Sequence, residues 1–188
     1  VSFVADAAEF LSDAELERLM QVNLVAPMLL VRALLPILAR QPSAAVVAVG
    51  STFGSLGYPG FAAYSASKFG LRGLIESLGR EYADGTVAFQ YLSPRATRTP
   101  FNSAAADALN RELGTAQDDP IEVAEALLAA IERGDRRRQL GWPEKFFARL
   151  NGAFPALVDR ALRSQLPAVR RHACAATPTQ PEIAHETP

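Results

Sequence analysis

Apolar side chains recur at helical spacing near the start of the chain. The stretch Ser12-Asp13-Ala14-Glu15 forms a capping box, in which serine and glutamate side chains satisfy free backbone donors at a helix start. Leucines and Met20 follow at intervals of three and four residues, which predicts a helix that ends near Arg40. Pro27 and Pro36 each remove a backbone donor, so we expect them to kink or divide this helix.

The pattern then alternates between strand and helix. The apolar, β-branched run Ala44–Val49 predicts a strand that is buried on both faces of a parallel sheet. A glycine-containing loop follows, then a predicted helix from Phe61 to Ala83 and a strand over residues 86–94. Strand, helix and strand in succession make a βαβ unit with a right-handed crossover. The pattern therefore predicts an α/β fold with a parallel sheet.

Periodicity is weaker in the second half of the chain. We expect a long loop with a short helix over 102–113, a helix that starts at Asp119-Pro120 and ends near Gly134, and a short strand around Arg138–Trp142. Residues 1–142 thus form the main domain. Residues 143–172 form a basic amphipathic helical extension with six lysine or arginine side chains against two acidic ones. Residues 173–188, rich in proline and threonine, are expected to be disordered.

Composition narrows the classes of function. The 188 residues carry 19 basic and 20 acidic side chains, so the net charge of -1 gives no global attraction to nucleic acid or anionic membranes. The single cysteine, Cys174, forms no internal disulfide, and no cysteine–histidine cluster indicates zinc, which makes the cytoplasm the default location. The apolar run 24–39 is interrupted by Arg32 and two prolines and is shorter than the ~20 residues of a membrane span. We see no secretory signal.

Two side chains with chemical potential lie four residues apart in Tyr64-Ser65-Ala66-Ser67-Lys68, on one face of the predicted second helix. A lysine cation beside a tyrosine favours the phenolate and lowers the tyrosine pKa from about 10. A phenol tuned in this way exchanges a proton with a carbonyl or alcohol oxygen. The same pair alone is also an ordinary helix surface contact. The two intervening serines are expected to be helix positions rather than nucleophiles.

Two further residues support a chemical role for this pair. Ser51 directly follows the first strand, at the edge where open α/β sheets bind ligands, so its hydroxyl can hydrogen-bond the same substrate oxygen. Asn23 lies four residues before Pro27, whose missing donor leaves the Asn23 carbonyl free to hold a water. A solvent-facing helix residue is the other interpretation of Asn23.

Three motifs follow one another along the chain: N-x-x-x-P at Asn23–Pro27, G-S-x-x-G at Gly50–Gly54, and Y-x-x-x-K at Tyr64–Lys68. Their order and spacing, over residues 3–142, resemble the short-chain dehydrogenase/reductase family. The resemblance implies a Rossmann-like doubly wound parallel sheet. It also implies an oxidoreductase that interconverts a carbonyl and a secondary alcohol of a small molecule by hydride transfer with NAD or NADP. Helix pairing between subunits, and hence a homo-oligomer, is a further implication.

The resemblance assigns roles to individual residues. Tyr64 is the catalytic acid/base, Ser51 stabilises the substrate oxygen, Lys68 binds the nicotinamide ribose and lowers the Tyr64 pKa, and Asn23 holds a proton-relay water through its backbone. The segment Ser93–Thr99 is similar to the family's P-G-x-x-x-T segment, which contacts the nicotinamide. This gives the cofactor contacts Tyr64, Lys68, Pro94, Arg95, Thr97 and Thr99.

Substrate contacts follow from position alone. The apolar side chains nearest the predicted site are Phe53, Phe61 and Phe101. The family resemblance further implies that residues 100–113 form a mobile substrate lid.

Two departures from the family pattern matter. Arg95 stands where glycine is usual. We expect its side chain either to crowd the nicotinamide or to contact a phosphate or an anionic substrate. The second departure is an absence, since the T-G-x-x-x-G-I-G loop that holds the pyrophosphate and the N-N-A-G segment do not occur. By family comparison roughly 80 to 95 residues are missing at the front of the doubly wound sheet. We therefore expect an N-terminally incomplete fold that alone binds cofactor weakly or not at all.

Two motifs of hydrolytic enzymes are incomplete in this sequence. Ser65–Lys68 matches S-x-x-K, but the partner motifs S-D-N and K-T-G are missing, and the histidines needed for serine hydrolysis, His172 and His185, lie in the tail. A non-catalytic interaction or oligomerisation module remains the alternative, although such a module does not need the serine, tyrosine and lysine together. The basic extension either packs on the domain or makes weak peripheral contact with a membrane, in which case the substrate is lipid-like.

Overall fold

The first helix starts where the capping box predicts. The computed structural model describes residues 11–100 and 102–175. In it α1 (Asp13–Met20) begins after Ser12, whose hydroxyl accepts from the Glu15 amide while the Glu15 carboxylate accepts from the Ser12 amide. Local hydrogen bonding of this kind is set by residues three apart, so the sequence alone predicts it.

A π-helical turn over Gln21–Val25 joins α1 to α2 (Ala26–Leu38). The Ala26 amide donates to the Gln21 carbonyl, five residues earlier, and Pro27 next to it has no amide hydrogen to donate. The expected irregularity is therefore present at the first proline. Pro36 lies inside α2 without dividing it.

The helical stretch over residues 13–38 ends close to the predicted Arg40 and is not broken by the prolines, so it is longer than the apolar run 24–39 that was expected to be too short for a membrane span. By length and composition alone it is long and apolar enough to cross a membrane, a test that core helices of soluble proteins also pass. Leu19 on this stretch is buried, and Leu24 packs so closely on the third helix that a Cβ at Gly70 would lie 2.8 Å from it. These contacts place one face of the stretch in the domain.

Three parallel strands form the described sheet, in the order β1-β2-β3: β1 (Ala44–Val49), β2 (Val87–Ser93) and β3 (Arg137–Gln139). Ala44 pairs with Val87 and Tyr91 pairs with Arg137. The first strand has the predicted bounds. The third ends three residues before its predicted end, ahead of a turn at Gly141 (φ 82°).

The prediction that β1 is buried on both faces is wrong for the described residues. Among them β1 pairs only with β2, and Val49 is 52% exposed. The central strand β2 is the one that is buried along almost its whole length. An apolar run indicates that a strand belongs to a sheet, but the neighbours it pairs with decide how much of it is covered.

The helices after β1 pack on the sheet and on each other. The predicted helix start at Asp119 is confirmed, since its carboxylate accepts from the Ile121 amide. Ser103 caps the preceding helix in a similar way by accepting from the Ala106 amide. The bounds are α3 (Ala62–Glu81), α4 (Ala104–Glu112), α5 (Pro120–Glu132), α6 (Glu144–Ala153), α7 (Pro155–Arg163) and α8 (Leu166–Ala175). Residues 173–175 thus belong to α8, and the rest of the tail expected to be disordered lies outside the described residues.

The C-terminal extension shares a hydrophobic core with the main domain. That core joins residues of α1, α3, α4 and α8, namely Leu19, Phe61, Tyr64, Ala106, Leu109, Ala168 and Val169. A second cluster fills the space between α3 and the sheet around Ile75, Phe89 and Tyr91. The extension therefore packs on the domain beside Tyr64, and contact of its outer side with a membrane stays a prediction.

Candidate active site

A cavity of about 760 Å³ opens where β1 and β2 end. The carboxyl ends of parallel strands are the usual ligand-binding edge of such a sheet. The cavity brings together nine residues singled out in the sequence: Ser51, Phe53, Phe61, Tyr64, Lys68, Pro94, Arg95, Thr97 and Thr99. Phe101 lies outside the described residues.

Ser51 and Tyr64 meet through their hydroxyl groups. The Ser51 oxygen accepts from the Phe53 amide at 3.2 Å, which leaves its own hydrogen available for donation. Burial raises the pKa of Tyr64 above its usual range, and the hydrogen bond with the Ser51 side chain opposes that rise. The two oxygens are thus arranged to act on one substrate oxygen.

The expected lowering of the Tyr64 pKa does not occur in this structure. Tyr64 is only 6% exposed, so loss of hydration disfavours the phenolate more than its neighbours favour it. The Lys68 Nζ lies 5.6 Å from the centre of the tyrosine ring, above its face. Burial disfavours the charged form of Lys68 too, and therefore lowers the pKa of its ammonium. The Tyr64 pKa is raised rather than lowered because both side chains are buried, and their spacing along the chain does not reveal this burial.

Ser67, expected to be an ordinary helix position, is instead a fully buried link between two site residues. Its hydroxyl donates to the Tyr64 carbonyl at 2.7 Å and accepts from the Asn23 side-chain amide at 3.3 Å. The π-helical turn that contains Asn23 is thereby tied to the helix that carries Tyr64. Asn23 does not face solvent with its side chain, which excludes the second interpretation given for it.

Tyr91 explains the glycines of the G-S-x-x-G motif. Its phenol lies where side chains at Gly50 and Gly54 would be, since an added Cβ would approach the tyrosine oxygen to 2.3 and 2.1 Å. The same phenol donates to the Lys68 carbonyl at 3.3 Å. Tyr91 therefore couples the loop after β1 to α3. This role of Tyr91 was not predicted, because no neighbouring residue distinguishes a tyrosine in an apolar strand from the other core positions.

Arg95 lines the cavity and is held there by acidic side chains, and the two roles expected for it toward a cofactor or substrate stay predictions. Its guanidinium binds both oxygens of Asp118 at 2.5 to 2.9 Å, donates to the Trp142 carbonyl at 2.7 Å and lies 3.5 Å from Glu144. A Cβ at Gly141 would lie 2.4 Å from the arginine side chain. Arg95 thus ties the cavity floor to the start of α6.

The segment after β2 is held by the same region of chain. The Arg98 amide donates to the Asp118 carbonyl, and the Asp118 amide donates to Ala96, so Thr97 and Asp118 form a short parallel bridge. The Thr97 hydroxyl donates to the Arg95 carbonyl at 3.0 Å. Backbone bonds therefore fix the segment in which Thr97 and Thr99 were expected to contact a cofactor.

The far wall of the cavity comes from the helices after β2. Its apolar residues lie on α4, α6 and α7 and just after α4: Leu109, Leu113, Phe147, Val158 and Leu162. Polar residues also line this part of the cavity, among them Asn110 of α4 and Glu144 of α6. The Tyr58 hydroxyl donates to the Gln165 side chain, and burial raises the Tyr58 pKa to about 12. Arg171 and His172 of α8 bind Glu112 of α4 beside this wall. The amphipathic pattern of residues 143–172 was the only feature of the sequence that indicated a contribution of the extension to this wall.

Comparison with known proteins identifies the class to which this site belongs. A family model described as short chain dehydrogenase matches residues 4–110. The chain is a member of that family, and its fold is accordingly Rossmann-like.

Individual relatives agree with this. The chain is 33% identical over 111 residues to 3-ketodihydrosphingosine reductase of Dictyostelium discoideum, which covers 56% of this chain and 33% of that protein. A short-chain dehydrogenase from Streptomyces avermitilis matches with a TM-score of 0.68 at 30% identity, over 90% of this chain and 66% of that one. One from Burkholderia cenocepacia, in complex with NADP, matches with a TM-score of 0.72 at 22% identity, over 86% of this chain and 65% of that one.

The chain is short beside these proteins. It spans between 33% and 54% of the length of the curated relatives that it matches.

Proposed function

We propose that the full-length protein is an NAD(P)-dependent oxidoreductase that interconverts a carbonyl and a secondary alcohol. The observation that carries this proposal is the meeting of the Ser51 and Tyr64 hydroxyls at the edge of the sheet, with Lys68 beside them in one cavity. Membership of the short-chain dehydrogenase family supports the reaction class. The cytoplasmic location and the pairing of subunits stay predictions.

Tyr64 exchanges the proton. In the direction of reduction its phenol donates to the carbonyl oxygen as that oxygen gains charge, and Ser51 donates a hydrogen bond to the same atom. In the direction of oxidation the phenolate removes the alcohol proton. Because burial favours the neutral phenol, this chain's own environment favours the donor role below the raised pKa. The protonated Lys68 favours the phenolate and so eases the proton transfer.

A nicotinamide cofactor fits the residues present at its reactive end. When bound, the cofactor supplies or accepts the hydride. The Lys68 ammonium and the segment Pro94–Thr99 lie on the cavity and offer a cation, hydroxyls and backbone groups for a ribose and a carboxamide. The NADP complex of the relative from Burkholderia cenocepacia supports this class of cofactor. The residues present do not select between NAD and NADP.

The substrate is proposed to be a large apolar carbonyl or alcohol. The cavity of about 760 Å³ has the Ser51 and Tyr64 hydroxyls on one wall, with the rings of Phe53 and Phe61 beside them, and mainly apolar side chains of α4, α6 and α7 on the other. Such a lining favours burial of an extended hydrocarbon part while the reacting oxygen stays at the hydroxyl pair. The name of the Dictyostelium relative, a reductase of a long-chain ketone, supports this substrate class.

The test uses the full-length protein with short aliphatic, long-chain and bicyclic ketones, each with NADH and NADPH. We expect turnover that rises with the size of the apolar part. Tyr64→Phe then lowers kcat by about 10²- to 10⁴-fold, the usual contribution of a general acid. Tyr82→Phe is the matched control, since Tyr82 packs on Phe89 away from the cavity.

Two results contradict the proposal. Turnover of Tyr64→Phe near that of the wild type removes the assigned acid/base. The fluorescence of NADH and NADPH measures nucleotide binding. If the protein does not bind either nucleotide, the non-catalytic module is favoured instead.

A further inference from the structure

The outward face of α6 carries aromatic side chains that the fold leaves uncovered. Trp142 is 66% exposed and Phe146 is 48% exposed. Their rings stack at 6.4 Å between centroids, with planes 18° apart. Arg149, one turn further on the same face, is also exposed. Phe146 and Arg149, three residues apart, share a face of α6, and Trp142, two residues before the helix begins, joins them through its stacking on Phe146.

The corner between α6 and α7 also carries exposed apolar side chains. Phe154 at the corner is 62% exposed and Leu157 is 58% exposed, and Arg160 follows three residues later, also exposed. We call these six residues the docking face: Trp142, Phe146, Arg149, Phe154, Leu157 and Arg160. The inward faces of the same two helices are covered, since Val158 is 1% exposed and Asn151 donates to the Ser55 carbonyl. The docking face is therefore the outer side of a packed element.

The charges around the docking face are mainly positive. Residues 142–163 contain four basic side chains, at Lys145, Arg149, Arg160 and Arg163, and two acidic ones, Glu144 and Asp159. Glu144 forms an ion pair with Arg95 beneath α6, which leaves Asp159 as the uncompensated acid among these residues. Tryptophan and phenylalanine next to arginine suit the boundary between lipid headgroups and acyl chains, and basic side chains there favour anionic lipids.

We propose that the docking face binds the surface of a membrane that contains anionic lipid. The aromatic side chains and Leu157 enter the headgroup region, and the arginines bind lipid phosphates and carboxylates. Charge complementarity favours this partner over a second copy of the chain, because two copies meeting through this face bring their arginines together.

One consequence rests on the proposed function. Phe147, Val158 and Leu162, which line the cavity, lie on the same two helices as the docking face. A membrane bound there lies next to the helices that form the apolar wall of the cavity, so a carbonyl compound dissolved in the membrane is concentrated near the site. Vesicle-dissolved substrate is then expected to show a lower KM when the vesicles contain phosphatidylserine, with kcat unchanged.

The binding test does not depend on activity. The full-length protein is sedimented with vesicles of phosphatidylcholine alone or with 30 mol% phosphatidylserine, at low and high salt. We expect binding to the anionic vesicles that weakens as salt rises, and a loss of roughly fivefold or more in affinity for each of Arg149→Glu and Arg160→Glu. Trp142 is the single tryptophan of this sequence, so quenching of its fluorescence by brominated lipid reports its insertion.

Apolar variants separate this face from others. Phe146→Ser with Leu157→Ser is expected to lower vesicle affinity at least tenfold, whereas Ile121→Ser with Leu128→Ser, on the exposed side of α5, leaves it unchanged. Circular dichroism checks that each pair folds.

Three outcomes overturn the proposal. One is no binding to anionic vesicles at low salt. Another is binding that survives Phe146→Ser with Leu157→Ser but is lost in Leu30→Ser with Ile37→Ser, which moves the site to α2. The third is a concentration-dependent dimer, seen by sedimentation velocity, that Phe146→Ser abolishes.

Discussion

The two walls of the cavity differ in how their side chains are held. On the wall formed by residues 50–54 and α3, each polar group has a supporting contact: Ser51 with the Phe53 amide, the Tyr64 carbonyl with Ser67, and the Lys68 carbonyl with Tyr91. On the wall formed by α4, α6 and α7, apolar side chains predominate over a few polar ones such as Asn110 and Glu144, and the polar pair Tyr58 and Gln165 lies next to it. The first wall fixes positions for proton transfer, and the second provides shape for a substrate. We therefore expect the first to be far less tolerant of substitution.

The largest effect is expected at Gly54, on the supported wall. In Gly54→Ala the new Cβ lies 2.1 Å from the Tyr91 oxygen and 2.9 Å from the Lys68 carbonyl oxygen, which belongs to the backbone. Relief requires movement of α3, so we expect a loss of about 2 to 3 kcal/mol in the free energy of unfolding. Urea denaturation measures it. Gly57→Ala is the control, since a Cβ there meets nothing within 4 Å. Equal stability of both variants contradicts the close packing inferred for this wall.

A smaller effect is expected where the two walls are tied together. Arg95→Met removes the hydrogen bonds to Asp118 and the Trp142 carbonyl, and leaves a partly buried carboxylate without this partner. We expect a loss of about 1 to 3 kcal/mol in stability. The KM for apolar ketones rises more than kcat falls, because α6 loosens while Tyr64 stays in place. Arg98→Met, three residues along and exposed, is the matched control. A fall in kcat with constant KM opposes a role in positioning α6.

Ser67 and Ser65 provide a matched pair on one helix. Both are buried, but only the Ser67 oxygen has hydrogen-bond partners among the described residues. Ser67→Ala is expected to cost about 1 kcal/mol and to lower kcat as the tie to Asn23 is lost, whereas Ser65→Ala is neutral or stabilising. Thermal unfolding and steady-state kinetics compare the two. If Ser65→Ala proves the more harmful, Ser67 does not support the site as inferred.

The smallest effect is expected on the apolar wall. Gln165→Leu and Tyr58→Phe each remove one side of a single hydrogen bond, so each is expected to change KM by less than about tenfold and stability by about 0.5 to 1.5 kcal/mol. The double variant should cost less than the sum, because the two side chains share that bond. A double-mutant cycle measures this coupling. Strict additivity, or a large loss of kcat, would show that this wall does more than shape the cavity.

The sequence by itself determined the features that depend on neighbours along the chain. The bounds of β1, the cap at Ser12 and the shared face of Tyr64 and Lys68 follow from apolar patterning and from spacings of three and four residues. The order of the three motifs was enough to assign Ser51 to the same site as Tyr64 and Lys68 and to indicate the family. These features are local, and residues a few positions apart specify them.

The tertiary structure alone decided how those residues behave. It raised the pKa of Tyr64 through burial, put Tyr91 beneath Gly50 and Gly54, and paired Arg95 with Asp118. It also brought α7 and Gln165 to a cavity whose motifs lie about 100 positions earlier in the chain. Hydration, close packing and ion pairing depend on which distant segments meet, and periodicity along the chain carries no information about that. The motif thus identified the chemical groups, and long-range packing set their protonation and the shape of the space in front of them.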